Sequence, residues 1–143
     1  MKGSSRRARV MYTQILQEQS ASFGRVHVDF ARMQLIRNGD AMELKPTELK
    51  LLAFLLQNPD RIIPRKELLN AIWGDRVDVT TRTVDVHISK LRQKVEHDPA
   101  QPMHVRTVHC VGYKFVPWPS GVSFWNSKGW SDGADEREVP RFA

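Results

Sequence analysis

From Phe23 onward the hydrophobic pattern has a period of two. Val26 and Val28 alternate, Leu35 and Ile36 lead into Asn38-Gly39-Asp40, and Met42 and Leu44 alternate again. Asn-Gly between such runs predicts a hairpin, because both residues tolerate positive φ. A small antiparallel sheet is therefore expected here. The period then changes. Pro46, favourable at a first helical position, opens a run with Leu49, Leu52, Ala53 and Leu56, widened by Leu51, Phe54 and Leu55. A helix this apolar must be largely buried, and it ends near Asn58-Pro59. Ile62-Ile63 reads as a short extended link, since Pro64 disfavours the helical region for the residue before it. A second helix carries Leu68, Leu69, Ile72 and Trp73 and stops at Gly74.

The third helix is the most informative stretch. In Thr80–Glu96 the apolar residues Val84, Ile88, Leu91 and Val95 come at steps of four, three and four. That spacing draws one narrow buried seam along a helix of about four to five turns. Arg82, Val86, Ser89 and Gln93 fall opposite the seam, with Thr83, Lys90 and Lys94 on one flank. Asp85 and Glu96 are the only acids, and both lie away from the centre of that face. Arg, Thr, Val, Ser, Lys and Gln suit base edges, a thymine methyl and phosphates in a major groove. An ordinary solvated helix face would look similar. After the loop at residues 97–102, Val105 and Thr107, then Tyr113 and Phe115, predict a hairpin around His109-Cys110-Val111-Gly112. The order predicts an α+β winged helix-turn-helix: an N-terminal antiparallel β-sheet, three helices and a C-terminal β-hairpin wing.

Composition adds direction. Lys and Arg outnumber Asp and Glu by 22 to 16, which suits an anionic partner without requiring one. Residues 1–20 are expected to be a disordered basic tail, with one helical turn near Met11–Gln17, and residues 21–117 the DNA-binding domain. Residues 118–143, with Trp118, Phe124, Trp125 and Trp130 among Ser, Gly and acids, are expected to be a mostly disordered tail; docking of its aromatics on the domain or a partner is the alternative. The single cysteine, Cys110, excludes an internal disulfide and fits a reducing compartment. No apolar run approaches the ~20 residues of a membrane span, and no secretory signal is evident. A soluble, cytoplasmic protein is expected. Enzymatic chemistry is not: Asp85 and His87 point different ways, and His104 and His109 lack partners at metal-site spacing. A redox role for Cys110 beside His109 would lack a resolving cysteine. No cofactor or metal is expected.

LKPTELKLLAFLLQNPDRIIPRKELLNAIWG, RTVDVHISKLRQKVE, HDPAQP and RTVHCVGYKF, in that order, resemble the OmpR/PhoB-type winged-helix effector domain of bacterial two-component response regulators. The likeness runs over about 23–116. It implies transcription control through sequence-specific double-stranded DNA, by protomers that are monomeric in solution and bind head-to-tail on direct repeats. By position, Arg82, Thr83, Val86, His87, Ser89, Lys90 and Arg92 match recognition-helix contacts, Trp73 a backbone contact, and Thr107, His109 and Tyr113 wing contacts. The loop Gly74, Asp75, Arg76, Val77, Asp78, Val79 and Thr80 matches a segment that touches RNA polymerase in some members.

Departures from the family pattern carry expectations of their own. Ser89 and Lys90 stand where arginines are frequent, and lysine lacks the planar fork that arginine offers guanine. His109 stands in place of a wing arginine. Cys110 replaces a glycine, so the turn either avoids positive φ there or is strained. A phosphoacceptor receiver, of ordinary domain size on the order of 100 residues, does not fit ahead of the sheet. A lone effector domain, a truncated regulator or an excised fragment is expected. A winged-helix protein-interaction module with only nonspecific DNA affinity is the rival reading.

Overall fold

A computed structural model of the chain describes residues 20–119, 121–126 and 129–131. The tail expected over residues 1–20 lies outside these apart from Ser20, as do residues 132–143. Four strands come first among the described residues: β1 (Ser20–Phe23), β2 (Val26–Asp29), β3 (Gln34–Arg37) and β4 (Asp40–Glu43). They pair antiparallel in sequence order, with Ala21 opposite Val28 and Val28 opposite Leu35. Period-two alternation turns Ala21, Phe23, Val26, Val28 and Leu35 into the core. The hairpin at Asn38-Gly39 has φ of 53° and 86°, as two consecutive positive-φ residues require.

Helix α1 (Pro46–Leu56) buries Leu51, Leu52, Leu55 and Leu56. The Glu48 carboxylate accepts from the Lys45 amide at 2.9 Å and so satisfies one free donor at the helix start. A short strand β5 (Ile62–Pro64) precedes α2 (Arg65–Trp73) and α3 (Thr81–Val95). Strands β6 (Val105–Val108) and β7 (Gly112–Phe115) form the wing. Over the described residues the fold is thus a winged helix-turn-helix of three helices with an N-terminal antiparallel sheet, as the pattern predicts.

The structure departs from the sequence reading in four places. Ile62–Pro64 is a third strand of the wing sheet, ordered β5-β7-β6, with Ile63 fully buried opposite Tyr113. Gly112 is a strand residue, which leaves His109-Cys110-Val111 as the turn. The first sheet begins at Ser20, ahead of the expected Phe23. Most notably, the chain after the wing does not simply trail away from residue 118. Strands β8 (Ser123–Asn126) and β9 (Gly129–Ser131) extend the first sheet to the order β4-β3-β2-β1-β8-β9, with Ala21 opposite Phe124. The free edge of β1 carries backbone donors and acceptors that need partners, and β8 supplies them. Val122 and Phe124 pack against the core. Val122, Phe124 and Trp125 among glycine, serine and asparagine do not make a period-two run long enough to announce a strand.

Candidate nucleic-acid interface

Helix α3 begins at a capping pair. Thr80 Oγ1 accepts from the Arg82 amide, and Thr83 Oγ1 accepts from the Thr80 amide, both at 3.3 Å. The seam of Val84, Ile88, Leu91 and Val95 is buried against the rest of the core. This fixes which side faces out. Arg82, Val86, Ser89, Lys90 and Gln93 are exposed, and Val86 keeps 45% of its surface in the middle of that face.

The two acids of this stretch are spent inside the domain. Asp85 is held by both Arg65, through a two-pronged contact with the guanidinium, and the Tyr113 hydroxyl at 2.7 Å. Burial would raise its pKa, but Arg65 and Tyr113 together hold it below the ordinary value. Tyr113 is pushed up to about 12 by burial and by the Asp85 carboxylate, so its hydroxyl stays a donor. Glu96, fully buried at the end of α3, accepts from the amides of Met103 at 2.7 Å, His104 at 2.9 Å and Val105 at 2.7 Å.

Lys94 does not flank the outer face as its position on the helix suggests. Its ammonium reaches Glu48 of α1 and the Glu43 carbonyl, both at 2.6 Å. Burial of Glu48 works against its charge, but the Lys45 amide and Lys94 outweigh it and lower its pKa. A carboxylate depressed in the folded state stabilises above its unfolded pKa and loses that contribution as pH falls through the folded one. The melting temperature should therefore fall on acidification below about pH 4.5, the ordinary glutamate range. Glu48→Gln should flatten that fall, and equal slopes in parent and variant would refute the assignment.

The remaining predicted residues divide into exposed and engaged. His87 donates from Nδ1 to the Thr83 carbonyl at 2.9 Å, since a carbonyl oxygen can only accept. Its ring stands edge-on to Trp73 of α2, with centroids 5.1 Å apart. Arg92 is committed to the wing: Nε donates to the Val105 carbonyl at 2.9 Å and a terminal nitrogen to Thr107 Oγ1 at 2.7 Å. Its guanidinium also sits 5.5 Å from the centre of the Tyr113 ring. Tyr113 is buried, whereas Thr107 and His109 are exposed. Cys110 has φ of 67°, so the turn takes the strained option in a place that suits glycine.

The loop from Gly74 to Thr80 is exposed except for half-buried Val79, and Val77 keeps 98% of its surface. Arg76 and Asp78 pair within it at 2.6 Å. An exposed pair of this kind adds little stability. Gly74 closes α2 with φ of 66° and donates to the Asn70 carbonyl at 3.0 Å. Among the described residues no cluster of three or more His, Cys, Asp or Glu could hold a metal ion, and no helix is long and apolar enough to cross a membrane.

The sequence model of the family described as "Transcriptional regulatory protein, C terminal" matches residues 39–115. The sensory transduction protein RegX3 of Mycobacterium tuberculosis is 41% identical over 91 residues, 64% of this chain and 40% of that protein. The DNA-binding response regulator MtrA of Mycolicibacterium smegmatis is 39% identical over 111 residues, 78% of this chain and 49% of that protein. The chain thus spans less than half the length of these curated relatives. Among solved structures, the DNA-binding domain of E. coli CadC aligns at 31% identity and a TM-score of 0.62, over 74% of this chain and 96% of that one. The DNA-binding domain of Klebsiella pneumoniae RstA, solved in complex with the RstA box, aligns at 31% identity and a TM-score of 0.60, over 69% and 98%.

Proposed function

The chain belongs to the family of transcriptional regulatory protein C-terminal domains, the OmpR/PhoB-type non-enzymatic DNA-binding domain of response regulators, and from that premise we propose that it reads a specific duplex sequence with α3 in the major groove. The observation that carries this reading is the outer face of α3. Arg82, Val86, Ser89, Lys90 and Gln93 are exposed together there, while both acids of the stretch are bonded within the domain. Such a face offers phosphate-seeking charge, two short side chains and two groups able to contact base edges.

In this arrangement Arg82, Thr83, Val86, Ser89 and Lys90 meet the groove, His87 and Trp73 the flanking backbone, and Thr107 and His109 the backbone or minor groove beside the wing. Arg92 and Tyr113 act from behind, by holding the wing. Protomers bind in tandem on direct repeats. The loop Gly74–Thr80, exposed apart from Val79, is the place for a second contact, with RNA polymerase, which the family likeness alone suggests.

Selection of bound duplexes from a random-sequence pool tests the reading. An enriched motif is expected, with affinity that falls steeply as salt rises. Lys90→Ala should cost ~1–3 kcal/mol on the selected duplex and relax one position. Arg82→Ala should weaken all duplexes more evenly. Recovery of no motif would favour a protein-interaction module instead.

A further inference from the structure

An acid on a helix that faces DNA is an electrostatic liability, because it repels the phosphates that the neighbouring cations attract. Asp85 is such a residue, one position before the exposed Val86. Its surroundings give it another use. We propose that Asp85 is a positioning residue for sequence reading, which with Arg65 and Tyr113 locks the recognition helix, α2 and the wing into one unit. The proposal rests on the DNA-reading function above.

Three elements meet at this carboxylate. Arg65 is the first residue of α2, Asp85 lies in the first half of α3, and Tyr113 is in the middle of β7. Oδ1 accepts from Arg65 Nε at 3.0 Å and from the Tyr113 hydroxyl at 2.7 Å, and Oδ2 takes the second prong of the guanidinium. A fork of this kind fixes angle as well as distance. Seven residues, two helical turns, further along α3, Arg92 closes on the same tyrosine ring and ties β6 through Val105 and Thr107. The wing is thereby held to α3 at two points two turns apart. Its exposed residues Thr107 and His109 keep a set distance from Arg82, Val86 and Lys90. The pair is partly exposed and contributes little to stability as an ion pair. Its effect is on geometry.

The substitutions Asp85→Asn and Tyr113→Phe test this. Asparagine keeps the shape but offers one acceptor where two are used; phenylalanine keeps the ring and removes only the hydroxyl. Each variant is titrated against the duplex most enriched by the parent and against a scrambled duplex. Backbone hydrogen exchange across β6 and β7 is measured without DNA. The ratio of selected to scrambled affinity should fall about tenfold for Asp85→Asn and a few-fold for Tyr113→Phe. Scrambled-duplex affinity should hold or rise as the negative charge leaves, and wing amides should exchange faster in both. Equal strengthening on both duplexes for Asp85→Asn would mean simple charge removal and would overturn the proposal. So would parent-like exchange in the wing, or an unchanged ratio in both variants. Failure of the underlying DNA reading is separately visible, because the parent itself would then enrich no duplex, and the proposal would fall with it.

Discussion

Glu96→Ala is expected to lower the unfolding free energy by about 4 kcal/mol, with three backbone amides each left short of an acceptor at about 1–3 kcal/mol. Glu96 ends α3 and is 1% exposed, and its two oxygens collect the amides of Met103, His104 and Val105. The carboxylate thus determines where the loop at residues 97–102 stops and β6 starts. A buried charge is costly to desolvate, but here its acceptor sites are filled. Glu96→Gln retains one carbonyl oxygen and should lose about half as much. Urea unfolding of parent and both variants measures this. A loss below about 1 kcal/mol for the alanine variant would show that water replaces the carboxylate without penalty.

Gly112→Ala should be comparably damaging, at about 3 kcal/mol or more, for a different reason. An added Cβ would lie 2.0 Å from the Ile63 carbonyl oxygen and 2.9 Å from the Pro64 Cα. Both are backbone atoms of β5, paired directly with β7, so the only relief is to part the strands. Gly39 is the control: nothing lies within 4 Å of its added Cβ, and only its φ of 86° opposes alanine. Gly39→Ala should cost roughly 1–2 kcal/mol, the usual penalty of a left-handed L-residue. Gly112→Ala should also weaken DNA binding, because the wing hangs on β5. Equal stability losses at the two glycines would refute the close-approach account.

Much of the architecture was legible because its causes are local. The seam Val84, Ile88, Leu91, Val95, the Asn38-Gly39 turn, the Pro46 helix start and the Gly74 stop are each set by residues a few positions apart. The exposed set Arg82, Val86, Ser89 and Gln93 followed from the same helical period. Ile62-Ile63 was legible as an extended link, but its pairing with β7 was not, because three residues before a helix carry too little pattern to name a partner strand. The β8 strand was missed because its stability comes from the waiting edge of β1, about a hundred residues earlier in the chain, and not from its own sequence.

The sequence by itself determined the helix-turn-helix, the wing, the outward face of α3 and the family to which these belong, since periodicity, turn chemistry and motif order are properties of neighbours in the chain. Only the tertiary structure decided what the long polar side chains around that face do. Arg92 and Tyr113 match DNA-contact positions in the linear pattern, yet folding brings Tyr113 against Asp85 and Arg92 against β6. Lys94 reads as part of the basic flank, yet it meets Glu48, which lies 46 positions earlier. A long polar side chain can turn toward DNA or toward its own domain, and the choice depends on which donors and acceptors lie within about 3 Å once the chain has closed.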